Sequence, residues 1–228
     1  MAKLVFDETG KRYYETGVQN CALYVYDKTN SKYKTGVAWN GITQVSHSPE
    51  GADDSDYYAD NIKYLTLRST ENFKGSLTCY STPEEFDACD GTLSLGGIAG
   101  VKVGQQSRLK FSLVYKTNIG NDTEGSDLGY KLHIIYNCSA GPSQRDYSSI
   151  NDSPEPIELS YDFSSTPVTL DGYKAISHVE VDSRTVDKDK LAELEKKLYG
   201  DGTDETTSQP TLLMPNEIIE LFNGTTSG

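Results

Sequence analysis

The sequence predicts a mainly β protein: one antiparallel β-sandwich or distorted barrel with a single flanking α-helix and a C-terminal docking arm. Three observations carry this. Apolar and polar residues alternate with period two through most of the chain, as half-buried strands require. Sixteen aromatic residues are Tyr, against six Phe and one Trp. With Val, Ile and Thr, that bias suits a pleated surface with a wet outer face. Only one stretch, 187–199, has both helical spacing and helical ends. A length of 228 residues suits one large β domain or two small ones, and either buries a core.

Taken in order, alternation places strands at 21–26, 33–45, 63–69, 73–80 and 98–103. The clearest pair is 108–117 and 130–138. Leu109, Phe111, Leu113 and Tyr115 share one face of the first, opposite Arg108, Lys110, Ser112 and Val114. Leu132, Ile134 and Tyr136 share one face of the second, opposite Lys131, His133, Ile135 and Asn137. The Gly-, Asn- and Asp-rich stretch between them reads as the hairpin loop. Further strands are expected at 144–149, 157–163 and 175–182. Pro83, Glu84, Glu85 and Phe86 open a short helix, with Pro in the first turn and carboxylates at its positive end.

Residues 187–199 form the main helix. Leu191, Leu194 and Leu198 make a narrow stripe, Asp187 and Asp189 begin it, Lys196 and Lys197 end it, and Gly200 stops it. One stripe means one buried side. Residues 201–211 contain no apolar side chain and read as a flexible linker. The character then reverses: Leu212, Leu213, Met214, Pro215, Ile218, Ile219, Leu221 and Phe222 crowd into 212–222. The division is therefore a domain over 1–200, a linker over 201–211, and an arm and tail over 212–228. The arm must dock, either on its own domain or across to a neighbouring subunit.

Charge narrows the function. The chain has 21 Lys+Arg against 34 Asp+Glu, a net charge of −13, and most of the excess lies after residue 150. So acidic a chain is poorly suited to gripping nucleic acid or an anionic membrane, both of which need clustered Lys and Arg. No apolar run approaches spanning length and the start lacks a signal-peptide core, so a soluble protein folded in a cytoplasm is expected. Cys21, Cys79, Cys89 and Cys138 are widely spaced. Cys21, Cys79 and Cys138 fall within apolar alternation and read as small buried hydrophobes, not as a disulfide or zinc framework.

Catalytic motifs are missing: there is no nucleophile elbow, phosphate loop or His-Glu-x-x-His. Gly96, Gly97 and Gly100 read as a turn or bulge. His133 reads as a structural or solvated position on a strand. The stretch 50–60 gathers Glu50, Asp53, Asp54, Asp56 and Asp60 around Tyr57 and Tyr58. It misses the calcium-loop spacing, which leaves a solvated acidic loop or a contact with basic groups of a partner. No cofactor and no metal is expected.

Several ordered blocks resemble one family. They are Gly36-Val37-Ala38-Trp39-Asn40-Gly41-Ile42-Thr43, Ser48-Pro49-Glu50-Gly51-Ala52, and Tyr58-Ala59-Asp60-Asn61-Ile62-Lys63-Tyr64. Next come Tyr80-Ser81-Thr82-Pro83-Glu84-Glu85-Phe86, Cys89-Asp90-Gly91 and Gly104-Gln105-Gln106-Ser107-Arg108. Ile119-Gly120-Asn121-Asp122, Gly129-Tyr130-Lys131-Leu132-His133, Ile150-Asn151-Asp152-Ser153 and Leu198-Tyr199-Gly200 complete the series. Together they resemble the major tail proteins of long-tailed, non-contractile bacteriophages, along nearly the whole chain as far as Gly200. The resemblance implies a non-enzymatic virion protein with the tail-tube type of β-sandwich. It forms hexameric rings that stack into a hollow tube conducting genomic DNA into the host. The implied partners are copies of itself, a tape-measure protein, a tail terminator, and distal tail or baseplate proteins. Double-stranded DNA passes without specific binding, no membrane is involved, and assembly takes place in the host cytoplasm.

Within that frame Glu50, Asp53, Asp54, Asp56, Tyr57 and Tyr58 are the candidate ring-to-ring contact, meeting Lys11, Arg12 or Lys102 of the next ring. Leu212, Leu213, Met214, Ile218, Ile219 and Phe222 are the candidate inter-subunit arm. A tube subunit of a tail-like bacteriocin is the nearest alternative. An adhesin or carbohydrate-binding module is the rival from another class. An enzyme would be favoured if His133 or the acidic loop sat in a deep cleft beside another polar group.

Overall fold

The computed structural model describes residues 3–150, 152, 155–202 and 209–224. The strands, in chain order, begin with β1 (Tyr14–Asp27), β2 (Lys32–Tyr33), β3 (Val37–Ala38), β4 (Ile42–His47) and β5 (Glu50–Gly51). Next come β6 (Asp54–Ala59), β7 (Ile62–Arg68), β8 (Glu71–Asn72) and β9 (Lys74–Cys79). A short helix α1 (Asp87–Asp90) precedes β10 (Leu93–Ser94) and β11 (Lys102–Val103). The chain then runs through β12 (Phe111–Asn121), β13 (Gly125–Ala140), β14 (Leu159–Ser165), β15 (His178–Asp182), α2 (Lys188–Tyr199) and α3 (Pro215–Asn223).

The main antiparallel sheet runs β2-β1-β12-β13-β14-β9-β4, with β3 added to β1 and β15 to β13. Strand β13 is long enough to serve two neighbours. Lys131–Ile135 pairs with β15, whereas Cys138–Ala140 pairs with β14. That division bends the sheet into two layers, β1-β12-β13-β15 and β14-β9-β4. Between them lies an inner core of Leu23, Val25, Phe111, Leu113, Ile135, Cys138, Tyr161, Phe163, Leu77 and Cys79. Within the second layer β4, β9 and β14 crowd together at Gly75, which lies opposite both His47 and Phe163; a Cβ there would stand 2.3 Å from the Ser46 carbonyl and 2.6 Å from the Phe163 ring.

The polar faces expected on the central strands are not wet. A second core covers them, formed by Ala22, Tyr24, Val114, Leu132, Ile134 and Tyr136 against Leu191, Leu194 and Leu198 of α2 and Leu212, Leu213, Ile218 and Leu221. Strands buried on both sides read as near-continuous apolar runs, and Phe111–Tyr115 is buried without a break. The remaining polar member, Ser112, stays in register because its hydroxyl accepts from the Asn137 amide at 3.1 Å. Asn137 is also where alternation misleads. A bulge shifts the register between Phe111–Cys138 and Leu113–Ile135, with Asn137 at φ 55°. Tyr136 and Asn137 thus stand against the single residue Ser112, and Ile135 and Cys138 both face inward.

Helix α2 matches its expected ends. The Asp187 carboxylate accepts from the amides of Asp189 (2.9 Å) and Lys190 (3.0 Å), satisfying two otherwise orphaned donors. Helix α3 was not visible in the arm's spacing. Pro215 sits in its first turn, and the Glu217 carboxylate accepts from the Met214 amide at 2.6 Å. Other expectations need correction. The strand expected at 144–149 is irregular chain, that at 98–103 shrinks to β11, and 33–45 breaks into β3 and β4. The loop expected after residue 117 is mostly strand, and its turn is confined to residues 122–124. Its tightness comes from Asn121, whose side-chain oxygen accepts from the amides of Thr123 and Glu124 while its amide group donates to the Gly10 carbonyl.

Candidate functional site

Three places gather the chemistry: a projecting hairpin, the docked C-terminal arm and a histidine cleft.

The acidic stretch expected as a loop is a two-stranded ribbon, β6 against β7, that joins no other strand among the described residues. Every residue of both strands is exposed. Cross-strand pairing sorts the side chains. Asp54 lies opposite Arg68 and Asp56 opposite Thr66, so these four share one face. Ser55 lies opposite Leu67 and Tyr57 opposite Leu65, so these four share the other. The first face is closed upon itself. Arg68 donates to both oxygens of Asp54 at 2.7 and 3.2 Å, and Asp56 accepts from Thr66 and pairs with Lys63, both at 2.7 Å. At the root, Glu50 pairs with Lys74 at 2.5 Å. The hydrogen bonds from Lys63 and Thr66 hold the Asp56 carboxyl below its usual range.

The basic groups expected to receive these carboxylates from a neighbour are themselves engaged within the chain. Lys11 pairs with Glu8 at 2.7 Å, Arg12 approaches Asp122 at 3.7 Å, and Lys102 pairs with Asp87. The other face of the ribbon is apolar and exposed: Tyr57 is 52% exposed, Leu65 38% and Leu67 55%, with Tyr58, Ile62 and Tyr64 exposed near the tip. The sequence reading singled out Tyr57 and Tyr58 but missed Leu65 and Leu67. Their alternation with Tyr64 and Thr66 is a strand signal that says nothing about whether anything covers the strand.

The arm lies on its own chain. Leu212, Leu213 and Ile218 are buried, Met214 and Phe222 half-buried, and Ile219 exposed. Backbone bonds fix its approach: Gly36 donates to the Pro210 carbonyl (2.9 Å) and Thr211 to the Lys197 carbonyl (2.7 Å). Tyr136 donates its hydroxyl proton to the Leu213 carbonyl at 3.0 Å, and Tyr24 does the same to Leu198. Burial pushes both phenols well above the usual tyrosine range. Of the linker expected over 201–211, residues 203–208 lie outside the described residues, and 209–211 are tied to the domain.

The third place was not foreseen. His47 (end of β4), His133 (β13) and His178 (start of β15) are all the histidines of the chain, and they meet. Tyr115, His133 and His178 stack nearly parallel, with centroids 4.8 and 5.4 Å apart, and Phe73 continues the stack 5.7 Å beyond His178. His47 stands edge-on to all four rings and shares a 2.7 Å hydrogen bond with the Tyr115 hydroxyl. His133, read from the sequence as structural or solvated, is buried. Its Nδ1 lies 3.2 Å from His178 Nε2, and its Nε2 lies 2.9 Å from the Thr117 hydroxyl and 3.4 Å from Glu15. Lys131 bridges Glu15 (2.9 Å) and Glu180 (3.0 Å) beside it.

Part of this cluster lines an open cleft with Glu15, Val18, Thr43 and Gln44. A hydroxyl, an imidazole and a carboxylate together are the ingredients of acid–base catalysis. Here, however, Thr117 donates its one proton to Glu15 at 2.5 Å, so His133 Nε2 can only donate to that oxygen and is not placed to activate it. Among the described residues no group of three or more His, Cys, Asp or Glu is arranged to hold a metal ion, and no helix is long and apolar enough to cross a membrane.

No protein-family model matches the chain, and no curated protein matches it. Among solved structures it is similar to a chain from the sheath/tube terminator of an extracellular contractile injection system (PVC) in its extended state. The identity there is 10%, over 78% of this chain and 99% of that one, with a TM-score of 0.34. A chain of the sheath–tube complex of that system matches at 14% identity over 72% and 88%, with a TM-score of 0.30. A chain of the anti-feeding prophage baseplate matches at 9% identity over 78% and 97%, with a TM-score of 0.35. What the fold defines is a mainly β protein built on one large antiparallel sheet with few helices. A fold at that level does not specify a function.

Proposed function

We propose that the chain is a structural subunit of a phage-type tail tube, built to join copies of itself into stacked rings around a bore that DNA traverses. The observation that carries this reading is the β6–β7 ribbon. A lone two-stranded hairpin is marginally stable in water and gains stability when a face is covered. This one extends a Tyr57–Leu65–Leu67 face from a domain whose two cores are already closed. The resemblance to major tail proteins supplies the ring and the tube. Six subunits that each lend roughly four strands, at ~4.8 Å spacing and ~40° tilt, give a backbone bore near 50 Å. That leaves room for a duplex about 20 Å across once side chains are counted.

The ring-to-ring contact expected at Glu50, Asp53, Asp54, Asp56, Tyr57 and Tyr58 is proposed in a narrower form, because Glu50, Asp54 and Asp56 are paired within the chain. The charged face sets the ribbon's shape, and Tyr57, with Leu65 and Leu67, makes the adhesive face. The bore is net negative or neutral, because each Lys or Arg pairing with phosphate would add counterion-release affinity and hinder passage. Tape-measure, terminator and baseplate proteins complete the partner set, and the assembled protein belongs to the virion tail.

The test is electron microscopy and sedimentation of the concentrated protein, with and without tail-initiation partners, for wild type and a Tyr57→Ser/Leu65→Ser/Leu67→Ser variant. Wild type is expected to give rings or tubes, and the variant monomers with an unchanged melting temperature. Isolated wild-type particles under every condition overturn the reading.

A further inference from the structure

The contact that holds the two sheet layers together at the root of the ribbon is made of rings that take up protons. His47 is the last residue of β4, and the next strand, β5, opens the 50–72 excursion. Strand β4 pairs with β9 and not with β13 or β15. At this end, therefore, side-chain contact links His47 to His133 and His178 on the other layer. We propose that these three histidines form an acid-released latch, closed while their imidazoles are neutral and opened by successive protonation, which frees β4 and the ribbon root from β15.

The local charges dictate the sequence of events. The groups facing the rings are Glu15 from β1, the Tyr115 phenol from β12, Lys131 from β13 and Glu180 from β15. That makes two carboxylates and one ammonium around a phenol that burial keeps protonated. One protonated imidazole is matched by the surplus carboxylate. A second and a third place like charges on rings 4.9 to 6.1 Å apart, with Phe73 closing the far side of the stack. Protonation of both His133 and His178 must also break the bond between His133 Nδ1 and His178 Nε2, since both nitrogens then donate.

Burial depresses all three imidazoles, and the neighbouring histidines take His178 further, to about 4. A group held below its open-state value stabilises the closed form above the ordinary imidazole range, and that contribution is lost as pH falls from about 6.5 toward 4. For His178 alone, opening at pH 5.0 is favoured roughly thirtyfold over opening at pH 7.5. This pH stays above the isoelectric point near 4.6.

Hydrogen exchange on the monomer tests the latch independently of any tube. After correction for intrinsic rates, peptides covering 42–50 and 176–182 are expected to exchange at least tenfold faster at pH 5.0 than at pH 7.5. Peptides in β12 should change less than twofold. His178→Phe keeps the stacked ring without the titrating nitrogen and is expected to flatten the difference. A parallel NMR titration of wild type is expected to show separated midpoints, with one near 4. Three histidines titrating together near 6.5, or pH-independent exchange at 42–50, overturn the proposal.

Discussion

Shortening Leu213 separates an arm that belongs to its own subunit from one exchanged between subunits. Leu213 is buried at 7% exposure in the outer core, and its carbonyl accepts from the Tyr136 hydroxyl at 3.0 Å. Leu213→Ala removes the buried branch and leaves a cavity lined by groups held by both α2 and the sheet, a setting where such truncations cost about 3 kcal/mol. For a chain of this length that lowers the melting temperature by roughly 6–12 °C. Tyr136→Phe deletes only the hydroxyl and should cost about 1 kcal/mol. The assay is urea denaturation at a concentration where sedimentation shows a monomer, because only there does stability report intramolecular packing. If the monomer loses less than about 0.5 kcal/mol on Leu213→Ala while assembly fails, the arm of one subunit packs on another. The cis arrangement would then be wrong.

Asp187→Ala, which deletes both accepted amide bonds at the start of α2, is expected to cost about 1 kcal/mol in the same denaturation assay. In the ribbon, Asp54→Arg alone should weaken assembly by placing like charges opposite one another, and Asp54→Arg/Arg68→Asp should restore it; failure of the double variant would point to a direct contact of Asp54 with another subunit. All four cysteines are buried free thiols, and burial pushes Cys21 and Cys89 up to about 12. Native protein should therefore react with a thiol reagent several orders of magnitude more slowly than urea-unfolded protein; fast native labelling would contradict the described packing.

The fold was legible where local rules and burial agree. Alternation found β9, β14, β15 and the β12–β13 pair, and the stripe and end charges of α2 fixed its limits to within a residue. It failed where one element's fate depends on another far along the chain. Val114 and Ser112 look like the wet face of a strand until α2 and residues 212–221 cover them, a contact spanning about a hundred residues. A bulge at Asn137 leaves no trace in composition, since Asn is ordinary in a strand end or a turn. The site divides in the same way. Carboxylates at 50–56 were visible, but their partners Lys63 and Arg68 on β7 and Lys74 on β9 come later in the chain, and only strand pairing brings the charges together. His47, His133 and His178 are 86 and 45 residues apart in sequence, and only the meeting of two sheet layers makes them neighbours.

The two cores bear on how a subunit of this design joins others. Because α2 and the arm seal the outer face of β1, β12 and β13, self-association need not wait for the central sheet to find a partner, and the monomer can remain folded before any ring exists. The face proposed to make the contact lies instead on a ribbon whose exposed internal ion pairs contribute little stability. Such a ribbon has a low local opening energy and can adjust to its neighbour on contact. Its attachment to β4 then matters more than its own stability. If the ribbon makes the proposed ring contact, its anchor beside His47 would couple that contact to the His133 and His178 rings of the other layer. The coupling is measurable as a reciprocal effect. Ring assembly should depress the His178 midpoint further, and acidification should weaken ring assembly by the same free energy. A His178 midpoint unmoved by assembly, with assembly unchanged on acidification through that range, would show that the latch and the ribbon face act separately.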